Sequence, residues 1–145
     1  MGTFHIIDDE ANILTILTNM IDCFGYESVS FTSADAYIEY MNAPSYKKPV
    51  AILTDNIMPG TMGYELVDIV RSSMADQRIV IISGTPDGKT TDSVEICFSL
   101  NKPFKMDALK MLLDSLEKCN NEPMPCIYTA MCKFGLHHCC PRNRP

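Results

Sequence analysis

Short apolar runs closed by polar residues alternate along this chain with segments whose apolar residues recur at helical spacing, and that alternation restricts the possible folds more than any other feature. Residues 4–7 form an apolar run ending in Asp8-Asp9-Glu10, after which Ile13, Leu14, Ile16, Leu17, Met20 and Ile21 follow a helical period. Gly25 ends that helix, residues 26–31 alternate as a second strand, and Ser33 caps a second helix through Met41. After a polar break from Pro44 to Pro49, residues 50–54 read as a third strand ending at Asp55. Pro59, Gly60 and Gly63 punctuate a loop, and Leu66, Val67, Ile69 and Val70 supply the apolar face of a third helix. Residues 79–82 form a fourth strand ending at Ser83-Gly84. The stretch 84–93 is polar and turn-forming, so a fourth helix there is expected to be short or irregular. Residues 96–100 supply a fifth strand before Lys102-Pro103, and residues 106–116 a last helix. Strands alternating with helices predict an α/β fold with a parallel sheet covered on both faces.

The 145 residues suffice for one domain, expected over 1–120, followed by a tail of different character over 121–145. The net charge of −6 lacks the basic stripe that a nucleic-acid backbone requires, so direct nucleic-acid binding is not expected. The longest mostly apolar stretch, 13–24, is interrupted by Thr15, Thr18, Asn19 and Asp22, so neither membrane insertion nor a secretory signal is expected. Seven cysteines, an odd number without an export signal, fit a reducing cytoplasm better than a disulfide framework. Cys23, Cys97 and Cys119 lie in apolar segments and are expected to fill the core.

Four of the five strands end in a chemically capable group: Asp8 and Asp9, Asp55, Ser83, and Lys102. A polar residue that opens one loop is commonly only solvated. In open parallel sheets, however, ligands collect beyond the carboxyl ends of the strands, and all these groups converge there. Three carboxylates in one cleft repel one another, and a hard divalent cation, Mg2+ or Mn2+, relieves that repulsion. Magnesium takes one or two carboxylates plus phosphate oxygen, so the set suits phosphoryl transfer. Asp55 ends the central strand and is the candidate nucleophile, since carboxylates form covalent acyl phosphates. Lys102 offers an ammonium and Ser83 a hydroxyl to the charge on the transferred group. A glycine-rich stretch, Gly84-Thr85-Pro86-Asp87-Gly88-Lys89-Thr90, has three residues between its glycines where a phosphate-binding loop needs four, and is rejected.

Taken in order, Phe4-His5-Ile6-Ile7-Asp8-Asp9-Glu10, Asp55-Asn56-Ile57-Met58-Pro59-Gly60-Thr61-Met62-Gly63, Ile81-Ile82-Ser83-Gly84 and Lys102-Pro103-Phe104 resemble the receiver family of two-component signalling over residues 3–119. The resemblance implies a flavodoxin-like, doubly wound sheet of five parallel strands in the order 2-1-3-4-5. By position it implies that Asp55 accepts the phosphoryl group and that Asp8 and Asp9 are the acidic pair of the metal site, with Asp9 the direct ligand. It also implies a metal-binding main-chain carbonyl at Ile57, a switch hydroxyl at Ser83, a phosphoryl-binding ammonium at Lys102 and a cis Lys102-Pro103 peptide. The implied partners are a sensor histidine kinase or phosphotransfer protein and a downstream protein target. The implied chemistry is transfer to and from the chain's own aspartate rather than turnover of a separate substrate. Ser99 stands where the family often carries an aromatic switch residue, and Ile57 and Thr85 stand where many relatives are polar or charged. The output surface is therefore expected to differ, and a protein-interaction module with phosphorylation uncoupled from output is the alternative.

The tail carries Cys126, Cys132, Cys139, Cys140, His137 and His138, more soft ligands than the four a structural Zn2+ site uses. Its spacing has no paired CxxC knuckle, so zinc binding, redox sensing and an inert tail all stay open.

Overall fold

The computed structural model describes residues 2–74, 76–84 and 98–121. The region expected to hold the fourth helix, the rejected glycine-rich loop beyond Gly84, Thr85, Cys97 and the Cys/His-rich tail lie outside the described residues.

Five parallel strands, β1 (Thr3–Ile7), β2 (Glu27–Phe31), β3 (Ala51–Asp55), β4 (Ile79–Ser83) and β5 (Phe98–Asn101), form one sheet in the order β2-β1-β3-β4-β5. The described helices are α1 (Ala11–Cys23), α2 (Ala34–Met41), α3 (Gly63–Ser73) and α4 (Met106–Asn121). This is the flavodoxin-like α/β receiver fold that the sequence resemblance implied.

The period of two along each strand divides the interior into two cores. Phe4 and Ile6, Ala51 and Leu53, and Val80 and Ile82 face one side, against Leu14, Leu17 and Ile21 of α1 and Leu109, Leu112, Leu113 and Leu116 of α4. Ile7, Ile52, Ile79 and Ile81 face the other, against Ala34 and Tyr37 of α2 and Leu66, Val67 and Val70 of α3. His5 is also buried, and its Nδ1 lies 2.8 Å from the Tyr37 hydroxyl. Near the amino end of β4, buried Arg78 donates to the Cys119 carbonyl and to Asn120 Oδ1, which ties that end of the strand to the last turn of α4.

Two placements differ from the sequence reading. Cys23 is exposed rather than in the core, because the inward positions of α1 are Leu14, Leu17 and Ile21 and Cys23 falls two residues past that stripe. Ile69 is 37% exposed, because Leu66, Val67 and Val70 already fill the inward face of α3. Cys119 is buried as expected.

Candidate functional site

The site is built on strand ends. β1 ends at Ile7, which places Asp8 and Asp9 in the following turn, and β3 ends at Asp55 in the neighbouring strand. Asp8 is buried, and its Oδ1 accepts from the Glu10 N–H at 2.9 Å while Glu10 opens α1. This local turn fixes the carboxylate and satisfies a donor at the helix start. Asp9 is exposed and Asp55 is buried, and the three carboxylates each offer an oxygen within 4.8 Å of the others. Such a group could hold a hard divalent cation through oxygen ligands.

Lys102 comes from the far side of the site, immediately after β5, and is joined to Pro103 by a cis peptide. Its N–H donates to the Ser83 carbonyl at 2.8 Å, which registers it against the end of β4. Its ammonium lies 3.0 Å from Asp8 Oδ2 and 3.7 Å from Asp55 Oδ1. Burial alone would lower the Lys102 pKa, but the hydrogen bond to Asp8 and the charges of Asp55 and Asp8 outweigh it and hold the ammonium above its ordinary value. Ser83 is buried at the end of β4.

Asp55 is under the opposite pressure. Burial pushes its pKa up to about 6 against the pull of Lys102, with repulsion from Asp8 and Asp9 adding to the rise and the Asn56 N–H opposing it. One ammonium does not balance three carboxylates, and a bound divalent cation would relieve that residual repulsion.

The structure therefore brings Asp8, Asp9, Asp55 and Lys102 together, with Ser83 at the adjoining strand end. Ile57 follows in the β3–α3 loop with a side chain 55% exposed. Sequence reasoning passed over two features of this loop. Asn56 is buried and hydrogen-bonded on several sides, and Gly63 lies where an added Cβ would sit 2.4 Å from the Asp55 carbonyl oxygen. Asp35 of α2 also accepts from the Thr61 hydroxyl at 2.6 Å, a second tie on the same loop.

Comparison with known proteins agrees with this arrangement. The family described as "response regulator receiver domain" matches residues 4–114. The transcriptional regulatory protein FixJ of Bradyrhizobium diazoefficiens is 26% identical over 117 residues, covering 79% of this chain and 56% of FixJ, so the chain spans little more than half the length of that relative. The crystal structure of full-length FixJ from B. japonicum superposes with a TM-score of 0.74 at 24% identity, covering 83% of this chain and 59% of that one. The receiver domain of a histidine kinase from Syntrophus aciditrophicus gives 0.77 at 16% identity, covering 88% and 98%. TrrA from Thermotoga maritima, whose structure is a complex with Mg2+ and BeF, gives 0.70 at 23% identity, covering 80% and 99%. Among the described residues, no helix is long and apolar enough to cross a membrane. With an acidic triad typical of a phosphorylation site at the end of its sheet, the chain belongs to the response regulator receiver domain family, a module of two-component signalling rather than an enzyme.

Proposed function

We propose that the chain is a phosphoryl-accepting switch in which Asp55 is the nucleophile. The observation that carries this reading is the meeting of three carboxylates with one ammonium at the carboxyl end of the sheet: Asp8, Asp9 and Asp55 within 4.8 Å, and Lys102 against two of them. Asp8, Asp9, Asp55 and the main-chain carbonyl of Ile57 would hold Mg2+ or Mn2+, which neutralises charge on the incoming phosphoryl oxygens when bound. The remaining work belongs to the protein. Asp55 attacks phosphorus, while Lys102 and the Ser83 hydroxyl donate to phosphoryl oxygens, stabilising charge that water would otherwise have to solvate.

A receiver implies a histidine kinase, or a phosphotransfer protein carrying phosphohistidine, as the donor, and a downstream protein as the reader. On this reading the switch occupies residues 1–120, and residues 121–145 form a separate tail in which the cysteines and histidines could take Zn2+. A cytoplasmic location fits the cysteine usage.

The test is incubation of the chain with acetyl phosphate and Mg2+, followed by intact mass. The expected result is a gain of one phosphoryl group that is lost in Asp55→Asn and when the metal is chelated. Undiminished label on Asp55→Asn overturns the assignment. A wild type that takes no label supports instead an interaction module uncoupled from phosphorylation.

A further inference from the structure

Asn56 directly follows the proposed phosphoacceptor, yet the reading above gives it no role. It is only 3% exposed, a degree of burial that an amide tolerates when its polar atoms are paired. Its N–H donates to Asp55 Oδ1 at 2.9 Å. Its carbonyl accepts from the Gly63 N–H at 2.8 Å, and its side-chain Oδ1 accepts from the Tyr64 N–H at 3.1 Å. Gly63 and Tyr64 are the first two residues of α3, where N–H groups have no partner inside the helix. Met62, at the N-cap, has only a weakly accepting thioether; Glu65 reaches back to accept from the Met62 N–H at 3.0 Å, and Asn56 takes the Tyr64 N–H from eight residues away. The helix start is also seated on the backbone of the nucleophile itself, since a Cβ at Gly63 would lie 2.4 Å from the Asp55 carbonyl oxygen and 2.8 Å from Asn56 Cα.

The geometry points to Asn56 as a positioning residue for phosphoryl transfer, one that holds Asp55 Oδ1 and ties the orientation of the carboxylate to the start of α3, leaving Oδ2 to attack. The inference rests on the phosphoacceptor reading of Asp55. A carboxylate rotates in a broad, two-fold torsional well, so without an anchor its two oxygens exchange roles. The Asn56 N–H removes that freedom by pinning one oxygen. It can do so only while the peptide plane it shares with the Asp55 carbonyl is held: the Thr54 hydroxyl donates to that carbonyl at 2.9 Å, and the bonds from Gly63 and Tyr64 brace the next peptide plane and the side chain of Asn56 from the other side. The Lys102 ammonium also lies on the Oδ1 side, at 3.7 Å, so the Asn56 N–H and Lys102 both address the same oxygen. In the transfer, a lone pair of Oδ2 forms the new P–O bond as the bond from phosphorus to the donor's leaving oxygen breaks. With acetyl phosphate as donor, that electron pair leaves on acetate. The same linkage runs in reverse, since a phosphoryl group on Oδ2 pulls on a carboxylate whose other oxygen is tied to α3.

The test compares three variants of the full chain in the acetyl phosphate and Mg2+ assay, read by intact mass over time, with thermal unfolding in parallel. Asn56→Leu keeps the bulk and removes the acceptor, and Asn56→Ala removes it without any risk of a clash. Asn56→Ser keeps an uncharged acceptor oxygen on the side chain, of the kind favoured at helix starts. Leu and Ala are expected to slow labelling by about tenfold or more while staying folded, since small misplacements of a reacting group cost factors of that order. Ser is expected to label faster than Leu and Ala, within roughly threefold of wild type. Leu and Ala variants that melt earlier but label at the wild-type rate would make Asn56 a helix cap only and overturn the inference. Leu, Ala and Ser variants that are equally slow would overturn it as well. A wild type without label overturns the phosphoacceptor reading itself, an outcome distinct from either.

Discussion

Two buried titratable residues in neighbouring parts of the sheet carry opposite pH signatures. The Asp55 pKa is raised from 3.8 to about 6, so between those values the folded state binds more protons than the unfolded chain. Its contribution is favourable in acid and is lost as pH rises through 6, a cost of roughly 1–3 kcal/mol at neutral pH without metal. The His5 pKa is lowered by burial from 6.5 to about 4, so here the unfolded chain binds more protons. Its contribution is fully present above pH 6.5 and is lost as pH falls toward 4, by up to roughly 3 kcal/mol. In wild type these two changes oppose each other across nearly the same window. Asp55→Asn removes one of them. Metal-free Asp55→Asn is therefore expected to be more stable than wild type by about 1–3 kcal/mol at pH 7. Acidification from 6.5 to 4 should then erode the variant faster than the parent, with the advantage gone near pH 4. Urea unfolding in chelator at stepped pH measures both. A variant no more stable than wild type at pH 7 would show that Lys102 and the Asn56 N–H fully offset the burial of the charged Asp55 carboxylate in the metal-free protein.

At the scale of elements, the start of α3 governs the site. Alanine is the better helix former by about 1 kcal/mol, so on propensity alone Gly63→Ala would stabilise α3. The added Cβ, however, would lie 2.4 Å from a backbone oxygen that cannot swing aside. Overpacking against a fixed backbone costs about 1–3 kcal/mol, so the net effect is expected to be destabilising by urea unfolding. Labelling of Asp55 should slow as well, because the helix start is pushed off the loop that carries Asn56. Gly63→Ala at wild-type stability would mean that the helix start shifts without cost. Much of the element pattern was legible in the sequence because it depends on local chemistry. Ser33 does accept from the Ala36 N–H, and Gly25 does take the positive φ of +87° that follows α1. Other features were illegible because they depend on what stands opposite. Nothing local marks Asn56 as the partner of a helix start seven residues later, and the adjacent apolar residues Leu66, Val67, Ile69 and Val70 do not by themselves say that Ile69 is the one that points outward.

At the scale of the whole molecule, two cores on opposite faces of one sheet hold five strand ends in register, and the acidic cluster stands where those ends meet. The strand order was readable through the signature blocks, whereas the residue-level geometry at their meeting point required the fold, since Lys102 and Asp8 are 94 positions apart and touch at 3.0 Å. A cation that binds only the folded cluster raises stability by mass action, roughly 2.7 kcal/mol at one hundred times its Kd. Added Mg2+ is therefore expected to raise the Tm of wild type, and Asp9→Ala should abolish most of the rise while losing little stability in its absence. An equal rise in both proteins would remove Asp9 from the ligand set. The most direct test of the central assignment is to treat the chain with acetyl phosphate and Mg2+, reduce the acyl phosphate with borohydride and sequence the peptides by mass spectrometry. The account predicts that residue 55 alone is converted to homoserine. Conversion at another carboxylate, with Asp55 unchanged, would contradict it.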